Sequence, residues 1–148
     1  MDLNTPQVMG ILNVTPDSFY SGSRKQTEEE IANRANQIIA EGGSIIDIGA
    51  FSTRPGADEV SEEEEGRRLK FALDIVRREQ PDAAISVDTY RPTLARKCIE
   101  EWGADIINDV SEGGITGIAN VPLEQRHEEY PEIVKWLIIL RVKIVVFW

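Results

Sequence analysis

Short runs of consecutive apolar residues alternate along this chain with longer segments of helical period, and this alternation limits the fold more than any other feature. Strands that are apolar at successive positions are buried on both faces, which is typical of parallel sheets. The longer segments have the length that a right-handed crossover between parallel strands needs. The pattern therefore predicts an α/β protein, either an open doubly wound sheet or part of a β/α barrel.

The alternation predicts five parallel strands and four helices. The strands are expected at Val8–Asn13, Ser44–Gly49, Ala84–Asp88, Asp105–Asp109 and Val142–Trp148, and the helices at Glu28–Glu41, Glu62–Glu79, Pro92–Trp102 and Pro131–Leu140.

Local signals mark several of the predicted helix ends. Capping-box spacing predicts helix starts at Thr27 with Glu30 and at Ser61 with Glu64. The acidic runs at 28–30 and 62–65 are interpreted as first turns, because carboxylates oppose the positive end of the helix dipole. At the other ends, glycines 42 and 103 stand where a helix would finish in the left-handed conformation.

Composition narrows the class of protein. The 148 residues predict a single domain over 1–148 that can bury a core. A net charge of −10 argues against non-specific binding to nucleic acid. Cys98 is the one cysteine, which excludes an internal disulfide and suits a reducing compartment. No leader peptide or apolar stretch of about 20 residues is visible, so we expect a cytoplasmic protein without a membrane partner.

Each of the first four predicted strands carries a carboxylate or an amide near its end. These side chains belong to Asn13, Asp47, Asp88 and Asn108. The carboxyl ends of parallel strands meet at one rim, where α/β enzymes place their active sites. Polar groups of this kind are costly in a core unless they are hydrogen-bonded. The convergence predicts an active site, although any one of them alone could be a turn starter or helix cap.

The loop after the second strand adds a positive charge to this rim. Arg54 offers a planar guanidinium that suits a phosphate or another oxyanion. Thr53 adds a hydroxyl donor, and the Pro-Gly pair that follows favours a turn. Beside the polar strand ends, the loop is predicted to clamp an anion.

Four motifs together resemble the dihydropteroate synthase family, in the order found in that family. They are Gly10–Phe19, Asp47–Gly49 with Ser52–Gly56, Ser86–Tyr90 and Ile106–Val110, and they cover residues 7 to 114. The resemblance implies a TIM-barrel fold and a transferase of folate biosynthesis. Such an enzyme condenses 6-hydroxymethyl-7,8-dihydropterin diphosphate with p-aminobenzoate, releases pyrophosphate and is a target of sulfonamides.

The resemblance also implies roles for individual residues. Catalytic roles fall to Arg54 and Asp47, and Asn13 is expected to bind Mg²⁺. The expected substrate-binding residues are Thr53, Asp88, Asn108, Phe19 and Ser21. Ser21 stands where the family commonly has an aspartate in its first loop, and Phe51 stands where many members have a glutamate. A hard cation and an arginine would neutralise the leaving diphosphate, as the reaction requires.

Family motifs from strands six to eight do not occur in these 148 residues. The sequence therefore predicts the N-terminal portion of a β/α barrel, with little or no synthase activity by itself. Its partner would be a second copy in a homodimer or a missing C-terminal half. Two alternatives stay open: an inactive fragment or interaction module that docks through Val142–Trp148, and a pterin-binding methyltransferase acting on methyltetrahydrofolate. The Ser52–Gly56 loop argues against the methyltransferase, because methyl transfer has no diphosphate to hold.

Overall fold

The computed structural model describes residues 6–14, 24–51, 60–109 and 143–145. These ranges contain five strands and three helices in alternating order. The strands are β1 (Met9–Asn13), β2 (Ile45–Gly49), β3 (Ala84–Asp88), β4 (Ile106–Asn108) and β5 (Lys143–Val145), and the helices are α1 (Arg24–Ala40), α2 (Glu62–Glu79) and α3 (Pro92–Glu100). Among the helices of these ranges, none is long and apolar enough to cross a membrane.

The five strands form one parallel sheet in which every strand pairs with the next one along the chain, in the order β1-β2-β3-β4-β5. A doubly wound sheet reverses its strand order at a switch point. A β/α barrel instead keeps the order of the chain. The observed order therefore confirms the prediction of a partial barrel and decides against the doubly wound alternative.

One face of the sheet packs against the helices and forms the apolar core. Ile46 and Ile48 of β2 and Val87 of β3 are fully buried in a cluster that also contains Leu69 and Leu73 of α2. Because side chains alternate along a strand, the residues between these apolar positions point to the opposite face. That opposite face carries the polar side chains of the site.

The predicted helix start holds for α2 and fails for α1. Ser61 caps α2, with its Oγ accepting the Glu64 backbone N–H at 3.2 Å. The first helix, however, begins at Arg24, so the predicted cap at Thr27 and the acidic first turn at 28–30 are wrong. Thr27 is buried inside the helix instead, because its face of α1 is turned toward the end of β1.

The remaining boundaries agree closely with the predictions. Gly42 and Gly103 have φ of +96° and +79°, which confirms a left-handed residue after α1 and after α3. Helix α3 ends at Glu100, before the predicted Trp102. The predicted fourth helix, Pro131–Leu140, lies outside the described residues, and β5 confirms part of the predicted last strand.

Candidate functional site

The strand register places the polar strand ends in one row. Asn13, Gly49, Asp88 and Asn108 are successive register partners across β1 to β4. Asp47 lies two residues before Gly49 on the same face of β2, one row further into the sheet. The four side chains that the sequence predicted to converge therefore do so at the carboxyl edge of the sheet.

A hydrogen bond across the middle strand fixes two members of this set. The Asn108 Nδ2 of β4 donates to the Asp47 Oδ2 of β2 at 2.9 Å, in a buried setting. The bond passes over β3, which lies between the two strands. It orients the Asn108 amide, so that its carbonyl oxygen is left for another partner.

Four oxygen atoms on this face are buried and lack a hydrogen-bond partner among the described residues. They are Asp47 Oδ1, Ser86 Oγ, Asp88 Oδ1 and Asn108 Oδ1. Buried polar atoms in folded proteins are nearly always paired, so an unpaired group needs an explanation. Three of the four are carboxyl or amide oxygens, which can accept hydrogen bonds from a ligand that carries donors.

The pKa of Asp88 is strongly raised. Burial is the largest cause, and together with repulsion from the carboxylates of Asp47, Glu65 and Asp109 it raises the pKa of Asp88 to about 7. A ligand that donates N–H groups to this carboxyl would favour its ionised form. The site is therefore built to accept donors or a partial positive charge.

The side chain of Asn13 lies next to Gly49 at the carboxyl edge of the sheet. A Cβ added at Gly49 would lie 3.2 Å from the Asn13 Oδ1 and 3.8 Å from the Asp88 Oδ2. Asn13 also lines a cavity of about 190 Å³ between β1 and α1, together with Glu30 and Arg34. The missing side chain at Gly49 thus leaves room for the amide oxygen at the rim.

A second polar cluster lies behind the row, on the helix-facing side of the sheet. Glu65 of α2 is fully buried, and its Oε1 accepts the Thr89 hydroxyl at 2.7 Å. Its Oε2 lies 3.3 Å from the Arg91 Nε. Thr89 follows Asp88 in the chain, so this cluster contacts the site from behind.

The sequence pattern does not single out Glu65, because the run at 62–65 predicts only the first turn of a helix. A signal was present: Glu65, Leu69, Ala72 and Val76 recur at intervals of four, three and four residues. That spacing belongs to one face of a helix. The last three are buried core residues, so the same face carries Glu65 inward.

Beyond the strand ends, the sequence also points to residues of two loops and to one cysteine. Phe19, Ser21, Thr53 and Arg54 lie outside the described residues. Phe51, at the start of the second loop, packs edge-to-face on Tyr90 with ring centroids 5.5 Å apart. Cys98 is buried, and burial raises the pKa of its thiol to about 12, so it is not a nucleophile.

Comparison with known proteins gives one family. Residues 9–135 match the pterin binding enzymes. The mitochondrial folate synthesis bifunctional protein of Arabidopsis thaliana is 48% identical over 112 residues, which are 74% of this chain and 20% of that protein. The dihydropteroate synthase of Escherichia coli K12 is 46% identical over 110 residues, which are 74% of this chain and 38% of that enzyme.

A solved structure shows the same likeness. Dihydropteroate synthase from Xanthomonas albilineans with 4-aminobenzoic acid superposes with a TM-score of 0.75 at 35% identity, covering 97% of this chain and 47% of that one. The chain thus spans less than half the length of each of these relatives. The family match includes β1 to β4 and every polar strand end in the row. This chain belongs to the pterin binding enzyme family.

Proposed function

We propose that this chain binds a pterin and takes part in the dihydropteroate synthase reaction, as a single domain that forms the first part of a β/α barrel. The observation that carries the proposal is the set of four buried oxygens on one face of the sheet that have no hydrogen-bond partner among the described residues. A pterin ring presents amino and ring N–H donors along one edge. Those donors complement oxygens that accept hydrogen bonds, and the buried setting strengthens each bond.

The described residues suggest distinct roles in binding and catalysis. Asp88 would accept two N–H groups of the pterin, and the Asn108 carbonyl would accept another. Asp47 holds the Asn108 amide at 2.9 Å and would stabilise the positive charge that develops on the pterin carbon. At that carbon the C–O bond breaks and its electron pair leaves with pyrophosphate. The p-aminobenzoate nitrogen then forms the C–N bond and loses a proton.

Mg²⁺ would be held by Asn13, because an amide oxygen is a hard donor of the kind this ion prefers. Among the described residues there is no group of three or more His, Cys, Asp or Glu side chains that could hold a metal ion. One protein ligand suits Mg²⁺, which commonly takes its other ligands from water and substrate phosphates. The ion would neutralise charge on the leaving diphosphate.

The two loops outside the described residues complete the proposed site. Arg54 and Thr53 would bind the diphosphate and the aminobenzoate side, and Phe19 and Ser21 would contact the aminobenzoate. The likeness to a solved synthase bound to 4-aminobenzoic acid supports this assignment. Sulfonamides would then compete with p-aminobenzoate. The free cysteine, Cys98, suits a reducing compartment, and we propose the cytoplasm.

Titration of 6-hydroxymethylpterin with the chain, followed by the fluorescence of the ligand, tests the proposal. We expect saturable binding that Asp88→Asn weakens at least tenfold, because bonds to a charged acceptor contribute about 1.5–3 kcal/mol. Asp74→Asn on the exposed side of α2 is the matched control and should bind as the parent does. A folded parent chain that binds no pterin would contradict the proposal.

Turnover is tested separately, by pyrophosphate release from the pterin diphosphate with p-aminobenzoate and Mg²⁺. Release that requires p-aminobenzoate would establish the synthase reaction for this chain, whereas pterin binding without release would leave it a binding module. Tighter binding of methyltetrahydrofolate than of the pterin diphosphate would favour the methyltransferase alternative. Sizing the same samples tests the predicted homodimer.

A further inference from the structure

The buried carboxylate of Glu65 lies outside the row of site oxygens and needs its own explanation. Its side chain is fully buried, and burial raises its pKa. Taking a carboxylate out of water costs several kcal/mol, and an ion pair in a protein interior commonly adds no net stability over apolar residues of the same size. The residue at this helix position would therefore be apolar if only stability mattered.

The contacts of Glu65 lead to Thr89, the residue that follows Asp88. Its Oε1 accepts the Thr89 hydroxyl, and the Thr89 Oγ1 in turn accepts the Arg91 backbone N–H at 3.2 Å. The backbone N–H of Thr89 donates to the Asn108 carbonyl oxygen at 3.1 Å. The residue that follows Asp88 is thus tied by its backbone to β4 and by its side chain to α2.

The same cluster also contacts the two ends of the segment between β2 and α2. Arg91 lies beside Glu65 and donates from Nη2 to the Val60 carbonyl oxygen at 2.6 Å. On α2, Arg68 donates to the Ala50 carbonyl oxygen at 3.1 Å. Ala50 directly follows β2, and Val60 directly precedes the cap of α2. The cluster therefore contacts the backbone just after β2 and just before α2.

We propose that Glu65 is a positioning residue of the pterin site, which acts through Thr89 and Arg91 to hold Asp88 where its carboxyl meets the ligand. The inference rests on the proposed function, since it assigns a role within the same site. Side chains that touch a ligand are held accurately when their own supports are hydrogen-bonded and packed. Glu65 supplies that support from a rigid helix.

The test uses two substitutions at Thr89 in the full chain. Thr89→Val keeps the shape and removes the hydroxyl, whereas Thr89→Ser keeps the hydroxyl. We expect Thr89→Val to weaken 6-hydroxymethylpterin binding about tenfold, the effect of one lost bond to a charged group, and Thr89→Ser to bind within about twofold of the parent. Equal, parent-like affinity in both variants would overturn the proposal.

The pH dependence of pterin binding in Glu65→Gln is a second measurement, which would not change if Glu65 had only a structural role. The charged groups facing Asp88 are Asp47, Glu65 and Asp109, and those facing Glu65 are Glu62, Arg68 and Arg91. Removing one negative charge should shift the pH midpoint of pterin binding downward, in addition to weakening binding. If Glu65→Gln has the same pH midpoint and the same pterin affinity as the parent, Glu65 is not a positioning residue.

A variant at the opposite edge of the sheet controls for lost stability. Asp105→Asn disturbs bonds from Arg77 and from the Ile85 backbone N–H, and we expect it to lower stability in urea while leaving pterin affinity unchanged. If Glu65→Gln and Thr89→Val behave like Asp105→Asn, Glu65 is only structural.

A ligand-free measurement separates this inference from the proposed function. In amide NMR spectra, Thr89→Val should displace the Asp88 and Asn108 backbone signals, and Thr89→Ser should leave them in place. A parent chain that binds no pterin but shows this difference would overturn the function and retain the support by Thr89. Unmoved signals in Thr89→Val would overturn the support itself.

Discussion

The two ends of the same sheet use similar side chains in opposite ways. At the amino end, Arg77 donates to the Asp105 carboxylate and to the carbonyl oxygens of Pro81, Ala83 and Gly103. Asp105 also accepts the Ile85 backbone N–H at 2.9 Å. At the carboxyl end, Asp88 and its neighbours keep four buried oxygens without partners among the described residues.

The difference agrees with the site that we propose at the carboxyl end. A polar group whose bonds are all made within the chain rigidifies the fold, and a group left unsatisfied costs stability until a ligand arrives. In β/α barrels the amino end of the strands serves stability and the carboxyl end serves chemistry. Asp105 lies at the amino end of the sheet and Asp88 at the carboxyl end. Asp105 is hydrogen-bonded within the chain, whereas the Asp88 Oδ1 has no partner among the described residues.

The largest effect on stability is expected for Arg77→Ala. The substitution removes hydrogen bonds to four acceptors at the amino end and should lower the free energy of unfolding by about 3 kcal/mol. Urea denaturation measures this loss, and pterin affinity should stay within about twofold of the parent. Arg78→Ala is the matched control, because Arg78 pairs with Glu28 and Glu79 on the surface. Such exposed pairs contribute little to stability, and an equal loss in both variants would contradict the comparison.

At the carboxyl end of the sheet, we expect the free energy of unfolding to fall as the pH rises. The pKa of Asp88 is raised from its ordinary value to about 7. A carboxyl group with a raised pKa stabilises the fold below its unfolded pKa, and that stability is lost as pH rises to the folded value. Between about pH 4 and pH 7 the parent should therefore lose on the order of 2 kcal/mol relative to Asp88→Asn. Parallel stability curves for the two proteins would refute the raised pKa.

A smaller loss is expected from Gly103→Ala at the amino end. Gly103 has φ of +79°, and the nearest atom to an added Cβ is the Arg77 Nε at 3.9 Å. The substitution should therefore lower the free energy of unfolding by about 1 kcal/mol, because a residue with a Cβ adopts the left-handed conformation less readily than glycine. Gly42→Ala, with φ of +96° and nothing within 4 Å of an added Cβ, should cost about the same. Thermal melting of both variants measures this, and a loss confined to one of them would show that something besides φ acts there.

The smallest effect on stability is expected from Gly49→Ala at the carboxyl end. The added Cβ would meet the exposed Asn13 side chain at 3.2 Å, and that side chain can turn away. We expect a change in unfolding free energy of about 0.5 kcal/mol or less, in the range of ordinary tolerated substitutions. The Asn13 side-chain amide signal should nevertheless move in NMR spectra. An unmoved signal would mean that Gly49 does not set the position of Asn13.

Much of the architecture could be predicted because its signals are local. Apolar runs identified the strands, and Ser61 with Glu64 identified the start of α2. The same capping signal failed at Thr27, because the three-residue spacing from Thr27 to Glu30 carries no information about which face of a helix packs on a sheet. Tertiary packing buried Thr27, and the helix extended back to Arg24.

The sequence by itself determined which residues end the strands, since chain order and apolar periodicity put Asn13, Asp88 and Asn108 at one rim of any parallel sheet. Only the tertiary structure decided that Asn108 reaches across β3 to Asp47 and that Glu65 stands behind Asp88. The first property depends on neighbours along the chain. The second depends on register between strands and on which side of a helix faces the sheet, and long-range packing sets both.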